Sequence, residues 1–489
     1  MLAAMPSSSP KRPEPGEGHI RTRRSGRIRD RGDACPGALR LHRADDGALA
    51  RLRLPTGVLT EHQTRVLADA ADRLGDGHLS LTSRGNLELR GLGESCGLEL
   101  AELLRGAGLL PDSEAHERIR NMVVSPLAGP RVQAAAHALD ALLCGEAWTT
   151  GLSGRFLFAV DDGRGDVAAL GADVTLRAAA DGDFTTGGDS EAGGDFEAHG
   201  DSTADRDLPA DGDFRADGDC GAGGGCGAGG GCGAGGAFLL VVADQAYEVA
   251  GADAPAAALA AARAFLTAAE AAGTGAWRIG ELPDGGRGME VAEELARAGV
   301  TASPAARPVT PSAGSGPPPP GILDGGFISV SARLGRVTSD HFRALLPAAE
   351  IRVTPWRGFV LPAWPDEAAA RDRLAELAAA GYLTAPDTPW ATVSACTGRP
   401  GCAKSLADVR GDARPLGGGL PVHWSGCERR CGHPRGDWVD MVATGEGSYQ
   451  QTVHTRAGAP GAMFHVKHGV AQDVSRETVP GPRPPLHDQ

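Results

Sequence analysis

LARLRLPTGVLTEHQTRVLA (residues 49–68) and FISVSARLGRVTSDHFRALL (residues 327–346) follow one plan, and each is trailed by a second matching stretch, HLSLTSRGNLELR (78–90) and EIRVTPWRGFVLP (350–362). In the first copy Leu52 and Leu54 alternate with Arg51 and Arg53, the period of a strand with one apolar and one cationic face. Pro55 and Gly57 turn the chain. Thr60 and Gln63 have the spacing of a capping box, and Val66, Leu67, Ala70, Ala71 and Leu74 form a helical stripe that ends at Gly75-Asp76-Gly77. The next strand is expected to hold Leu79, Leu81, Leu87 and Leu89 on one face, with Ser80, Thr82, Arg84, Asn86, Glu88 and Arg90 on the other. The order strand, turn, Thr-led helix, strand, Arg-Gly recurs in the second copy, with Arg357 as the expected counterpart of Arg84. The pattern implies an internal duplication, two half-domains meeting around one site.

Outward from the two copies, the rest divides by composition. A folded region is expected from Cys35-Pro36-Gly37, after a basic, proline-containing tail over 1–34. The half-domains occupy 35–95 and 323–388. Between them, 96–302 reads as an α/β domain, with helices near Arg131–Leu143, Ala254–Ala272 and Gly288–Ala298 and buried strands at Gly154–Val160 and Ala237–Val242. Within it, 177–236 repeats Asp-Gly-Asp-Phe and Cys-Gly-Ala-Gly-Gly, a composition unable to bury enough apolar area to offset its ordering entropy, so this insert is expected to be disordered. A Pro/Gly/Ser linker (303–322), a cysteine-bearing segment (389–450) and a C-terminal tail (451–489) complete an α+β chain.

Charge is unevenly spread. The net charge is −14, but residues 161–219 alone carry 17 Asp and Glu against 4 Arg, so the acidity belongs to one segment. No basic stripe with interleaved aromatics points to nucleic acid. No apolar run reaches the ~18 residues of a membrane span, and the N-terminus lacks the apolar centre of a secretory signal, so a cytoplasmic protein is expected. No Gly-rich dinucleotide fingerprint follows a strand, which implies that any electrons come from a separate reductase or carrier.

Ten cysteines are present. Cys35, Cys96 and Cys144 are scattered, and Cys220, Cys226 and Cys232 lie in the glycine repeat. Cys396, Cys402, Cys427 and Cys431 form a compact set, with five residues inside the first pair, three inside the second and 24 between the pairs. In a reducing compartment such a set reads as metal-binding. A [4Fe–4S] cluster needs four thiolates converging on one small body. Structural zinc takes four cysteines too, but its first pair is usually separated by two to four residues. The spacing favours the cluster and leaves zinc, or another arrangement, open. Gly398, Gly401, Gly426 and Gly432 would let backbone approach closely and direct amides at the sulfurs.

With these motifs together, the chain resembles the sulfite/nitrite reductase superfamily over most of 35–443 apart from the insert. Within it, Ala34-Cys35-Pro36-Gly37, LRLPTG (52–57), LTSRGNLELRGL (81–92) and the SGC and CGH around Cys427–His433 are most similar to the precorrin-3B synthases. The resemblance implies duplicated ferredoxin-like half-domains with two α/β cofactor-binding segments of the sulfite reductase haemoprotein type. It implies a [4Fe–4S] cluster on the four cysteines, precorrin-3A and dioxygen as substrates, NADH or a reductase or ferredoxin as electron donor, and hydroxylation at C20 with γ-lactone closure on the way to cobalamin. An additional iron is left open. The alternatives are a sirohaem-dependent sulfite or nitrite reductase, with Cys431 bridging the cluster to the sirohaem iron, and a non-enzymatic tetrapyrrole-binding redox protein. Where the reductases carry Lys-x-Lys, this chain has Arg155-Phe156-Leu157, one cation fewer.

A precorrin presents a ring of carboxylates, and the planar fork of arginine pairs bidentately with such groups. Arg53, Arg84, Arg120 and Arg357, with Thr82 and Asn86, are the expected substrate-binding residues, and Arg120 and Arg155 the expected catalytic ones. His433 beside the last cysteine is expected as a hydrogen-bond partner of the site.

Overall fold

Thr60 closes the capping box its spacing implies: its Oγ1 accepts from the Gln63 amide while the Gln63 side chain accepts from the Thr60 amide. In the second copy Thr338 likewise accepts from the His341 amide. The two caps start unequal helices. The first runs Glu61–Leu74. The second covers only Ser339–Arg343, because Pro347 follows closely and neither proline nor the residue before it continues a helix.

The computed structural model describes residues 36–179, 236–305, 316–362, 364–434 and 436–455, and the backbone of 464–467. The N-terminal tail, Cys35, nearly all of the insert with its three cysteines, and most of the C-terminal tail fall outside the described residues.

Each half-domain is a five-stranded sheet that takes one strand from the other copy. The first is ordered His42–Ala44, Gly47–Leu52, Leu87–Leu92, His78–Leu81, Arg336–Thr338, the last belonging to the second copy. The second is ordered Gly321–Ile322, Ile328–Ser331, Gly358–Leu361, Glu350–Val353, Val58–Thr60, the last belonging to the first. Leu59 thus pairs with Ile351, and Val337 with Leu79. All four are essentially fully buried in one apolar core shared by both copies. The reciprocal exchange joins the half-domains through backbone hydrogen bonds as well as apolar contact.

The single strand expected over 79–90 is a hairpin. Strands His78–Leu81 and Leu87–Leu92 pair antiparallel, Leu81 opposite Leu87, around a turn at Thr82–Asn86. Gly85 takes φ +65°, a left-handed value that glycine tolerates at no steric cost. The leucines keep one face because the turn preserves the alternation, but Thr82, Arg84 and Asn86 sit in a turn and not on a strand face.

The central domain is a six-stranded sheet ordered Ala302–Pro304, Gln245–Val249, Phe238–Val242, Val174–Ala178, Phe158–Asp161, Met122–Val124. Helices Pro130–Gly145 and Ala254–Ala272 cover one face, packing on Met122, Val124, Phe158, Val160, Leu176 and Leu240. The opposite face buries Val123, Leu157, Ala159 and Val167, with Trp356 of the second half-domain against them. The domain is therefore clamped between its own helices and the duplicated core. The insert joins two antiparallel neighbours, with Ala178 opposite Phe238 and the Ala179 amide bonded to the Ala237 carbonyl at 3.0 Å.

The cysteine-bearing domain has strands Val393–Ala395, Val422–Ser425 and Trp438–Gly445 in parallel, then Ser448–His454 and Phe464–Lys467 antiparallel. The sheet passes the boundary expected at 450. Polar residues hid this strand, in which Tyr449 is 1% exposed and packs edge-on to Trp424.

Because the ends of the insert already meet as a hairpin, replacing 180–235 by an Asn-Gly turn is expected to preserve the fold. Circular dichroism and thermal melting should match the full chain within a few degrees; an insoluble or molten product would contradict the hairpin.

Candidate functional site

Parallel pairing brings the two cysteine loops together. Val393–Ala395 and Val422–Ser425 run side by side, so both chains leave the sheet at the same edge, one into Cys396 and the other into Gly426-Cys427. The Cys396 amide donates to the Trp424 carbonyl at 2.9 Å, and the Leu406 amide to the Gly426 carbonyl at 2.8 Å. The Gly426 amide donates to Cys396 Sγ at 3.2 Å. Burial pushes the Cys396 thiol up, opposed by the amides of Gly426 and Gly398, while Cys431 and Cys427 lie near enough to add repulsion. Cys396, Cys402 and Cys427 are half-buried and Cys431 is exposed.

The glycines sit in tight contacts. A Cβ on Gly426 would fall 1.9 Å from Ser405 Oγ, and one on Gly401 would fall 2.6 Å from an Asp46 carboxylate oxygen. At Gly398, φ is +71° and a Cβ would meet Val409 Cγ2 at 2.7 Å and the Val409 amide nitrogen at 3.0 Å.

Does this donor set fit the group the sequence implies? Tetrahedral zinc with Zn–S near 2.3 Å would hold sulfurs roughly 3.8 Å apart. Among the described residues, the grouping whose ligand atoms all lie within 4.8 Å of one another is Asp161, Asp162 and Asp166, and no three of the cysteines meet that limit. Cys396, Cys427 and Cys431 lie close enough to interact, and the Gly426 amide aimed at Cys396 Sγ suits a group that accepts hydrogen bonds on sulfur.

Both half-domains grip these loops. Arg90 pairs with Asp46 and donates to the Gly401 carbonyl at 2.7 Å, and Asp45 accepts from the Ala403 amide. Arg357 donates to the Gly432 carbonyl at 3.1 Å. His423, fully buried, bonds the Cys431 carbonyl at 3.1 Å and Ser394 Oγ at 2.8 Å. Burial, with Arg357 next in effect, pulls its imidazole down to about 3, so it is neutral at physiological pH. His433 stacks on Trp438 at 5.0 Å between ring centroids, and Trp438 in turn stacks on His454. Its Nδ1 lies 2.8 Å from the Pro434 carbonyl.

The expected ligand residues divide into two groups. Arg53 is 3% exposed and donates to Asn121 Oδ1 at 2.9 Å and to the Gly154 carbonyl at 3.1 Å. Asn86 is 2% exposed and accepts from the Leu54 amide. Arg53 thereby ties the first half-domain to the central domain, and Asn86 ties the Thr82–Asn86 turn to Leu54 within the first half-domain. Arg120 makes a two-pronged pair with Asp140, at 2.7 and 2.5 Å. Buried Glu117, whose carboxyl is raised by burial, feels the charges of Arg53 and Arg120. Sequence reasoning missed both acids because Asp140 lies 20 positions from Arg120, on the helix Pro130–Gly145, and Glu117 lies far along the chain from Arg53.

Arg84, Thr82, Arg155 and Arg357 are nearer the surface. Thr82 Oγ1 accepts from the Arg84 and Asn86 amides and shapes the turn. Arg155 is exposed and lies 4.8 Å over the Trp277 ring. The turns of the two copies abut: a Cβ at Gly85 would come within 3.2 Å of the Val353 carbonyl. They also match in detail. Thr82 bonds Asn86 as Thr354 bonds Gly358, and φ is +65° at Gly85 and +64° at Arg357. Arg357 is therefore the counterpart of Gly85, and Arg84 that of Trp356, a one-residue correction to the expected equivalence.

Residues 41–105 match the family described as the nitrite/sulfite reductase ferredoxin-like half domain. Across the chain, the fold is similar to that of the Mycobacterium tuberculosis NirA protein, with a TM-score of 0.56, 16% identity, and coverage of 85% of this chain and 77% of that one. The likeness to that structure shows the mixed α+β fold, and the family match is confined to the first half-domain. Among curated relatives, the ferredoxin–nitrite reductase of Synechococcus elongatus is 34% identical over 127 residues, 24% of this chain and 25% of the relative. The precorrin-3B synthase of Sinorhizobium sp is 29% identical over 145 residues, 28% of this chain and 31% of the relative. The chloroplastic ferredoxin–nitrite reductase of Spinacia oleracea is 38% identical over 82 residues, 17% of this chain and 14% of the relative. The matched stretches thus span less than a third of each of these relatives. No helix among the described residues is long and apolar enough to cross a membrane.

Gly398→Ala is expected to destabilise the protein by about 1–3 kcal/mol through the collision with Val409. Urea unfolding checks this; a change below about 0.5 kcal/mol, the usual surface effect, would show that the loop can shift.

Proposed function

We propose that this chain is an oxygen-dependent precorrin-3B synthase whose four cysteines, Cys396, Cys402, Cys427 and Cys431, hold a [4Fe–4S] cluster beside the tetrapyrrole. The observation that carries the reading is Leu157. It stands where the reductases of this superfamily place the second lysine of their anion pocket, and it is 2% exposed in an apolar cluster with Val123, Ala159 and Val167. Two other cations of that region are already engaged, Arg120 by Asp140 and Arg53 by Asn121 and the Gly154 carbonyl. A site with so little uncompensated positive charge is poorly suited to a small oxyanion and better suited to a macrocycle with dispersed carboxylates.

In this reading Arg84, Arg155 and Arg357 take the substrate's acetate and propionate groups from different directions, with Thr82 adding a neutral hydrogen bond. Arg53 holds the half-domain and central domain in register beneath them, and Asn86 fixes the turn that carries Arg84. Arg120, tied to Asp140, positions the Asn121 side chain, which donates to the Phe156 carbonyl and fixes the Arg155 loop. When bound, the cluster supplies one-electron transfer. The overall reaction puts one atom of dioxygen on C20 and releases the other as water, with two electrons and two protons from an external donor such as NADH through a reductase, or a ferredoxin. Lactone closure by the ring A acetate follows.

A second reading, a ferredoxin-dependent nitrite reductase with sirohaem, has its own support in the 34% identity to the Synechococcus elongatus enzyme over 127 residues. Aerobic incubation of the anoxically reconstituted protein with precorrin-3A and a reductant, followed by mass analysis, separates the two. The synthase yields a product one oxygen atom heavier that is absent without dioxygen. Unchanged precorrin together with stoichiometric nitrite turnover would overturn it. Arg84→Ala is expected to weaken precorrin-3A binding by roughly 10-fold, the cost of one charge-assisted hydrogen bond, without loss of iron. Unchanged affinity in a fluorescence titration would remove Arg84 from the site.

A further inference from the structure

A cavity of about 400 Å³ lies where the second half-domain meets the cysteine-bearing domain, with His78 of the first half-domain at its side. Its charged and polar lining includes Arg333, Arg336, Arg410, His78 and His341, beside Tyr382. Three guanidinium groups converge there. Arg336 is paired with Asp76 at 2.5 Å. Arg333 lies over Trp390, its Cζ 3.5 Å from the ring centroid, a cation–π contact that holds the group without neutralising it. Arg410 donates through Nε to the Cys396 carbonyl at 3.2 Å, while its Nη1 is fully buried and has no hydrogen-bond partner among the described residues. Arg336, Arg357 and Arg90 are like charges around it.

Arg410 also lines the cavity, and an anion placed beside its guanidinium offsets the cost of holding that charge in a largely buried position. Arg333 and Arg410 approach the space from different domains, an arrangement suited to two-sided recognition of an anion with more than one oxygen. Leu334 and Val337 supply apolar wall, and the volume exceeds what a bare monatomic ion would fill.

We propose that this cavity binds a small dianion, a phosphate or a dicarboxylate, held between Arg333 and Arg410. The occupant would lie one side chain from Cys396, through the Arg410–Cys396 carbonyl bond. The site stands on the cavity and its arginines and does not depend on which reaction the enzyme performs.

Calorimetric titration of the reconstituted full chain with inorganic phosphate, and separately with succinate, tests this at constant ionic strength held by potassium chloride. Saturable single-site binding of at least one anion is expected, and the tighter arm identifies the source chemistry. Arg410→Gln and Arg333→Gln should each weaken it at least 10-fold, while Arg371→Gln on an exposed helix leaves it unchanged. Arg333 is exposed, so its variant keeps the test decisive if Arg410→Gln does not fold. Absence of saturable binding for both anions, or undiminished affinity in Arg333→Gln, would overturn the proposal. Neither outcome depends on precorrin turnover, so failure here and failure of the synthase reading are distinguishable.

Discussion

The reciprocal exchange of two short strands, Val58–Thr60 and Arg336–Thr338, constrains everything else in this molecule. Each strand is only three residues long, yet each closes the other copy's sheet and places a fully buried or nearly buried side chain, Leu59 or Val337, in the common core. Once the two sheets share strands, their hairpin turns are brought against one another, Gly85 of the first beside Val353 and Thr354 of the second. The same geometry sets Arg90 and Arg357 on opposite cysteine loops, one on the Gly401 carbonyl and the other on the Gly432 carbonyl. The loops are therefore positioned by both half-domains and by their own parallel strands, before any prosthetic group is considered.

Charge compensation gives the site its chemical character. The reductase pattern gathers unneutralised cations around a small anion. Here Leu157 is apolar and buried, Arg120 is engaged by Asp140, and Glu117 sits in the field of Arg53 and Arg120. What remains accessible is a sparser set of arginines on turns and loops. That set is suited to carboxylates at the rim of a macrocycle, which is the basis for preferring the synthase over the reductase despite the stronger sequence match to nitrite reductases.

Much of this was legible in the sequence where local rules operate. The Thr60–Gln63 capping box, the helix at Ala254–Ala272 and the duplication all follow from spacing and periodicity, and the second copy was visible although the family match covers only 41–105. The hairpin at Thr82–Asn86 was obscured because its turn leaves the leucine alternation intact, so Ser-Arg-Gly-Asn was read as strand when Gly85 should have marked a turn. Arginine roles were legible only as candidates. Whether an arginine meets a ligand or a protein acid depends on residues distant in sequence, such as Asp140 for Arg120 and Asn121 for Arg53. Arg410 carried no local signal at all; its isolation emerges only when Arg336, Arg357 and Arg90 from other elements surround it.

The central claim is that four thiols on two facing loops hold an iron–sulfur cubane. Iron and acid-labile sulfide analysis of protein purified and reconstituted without oxygen, with zinc measured on the same sample, tests it most directly. About four irons and four sulfides per chain are expected, as a [4Fe–4S] centre requires. One zinc per chain with negligible iron and sulfide would contradict it.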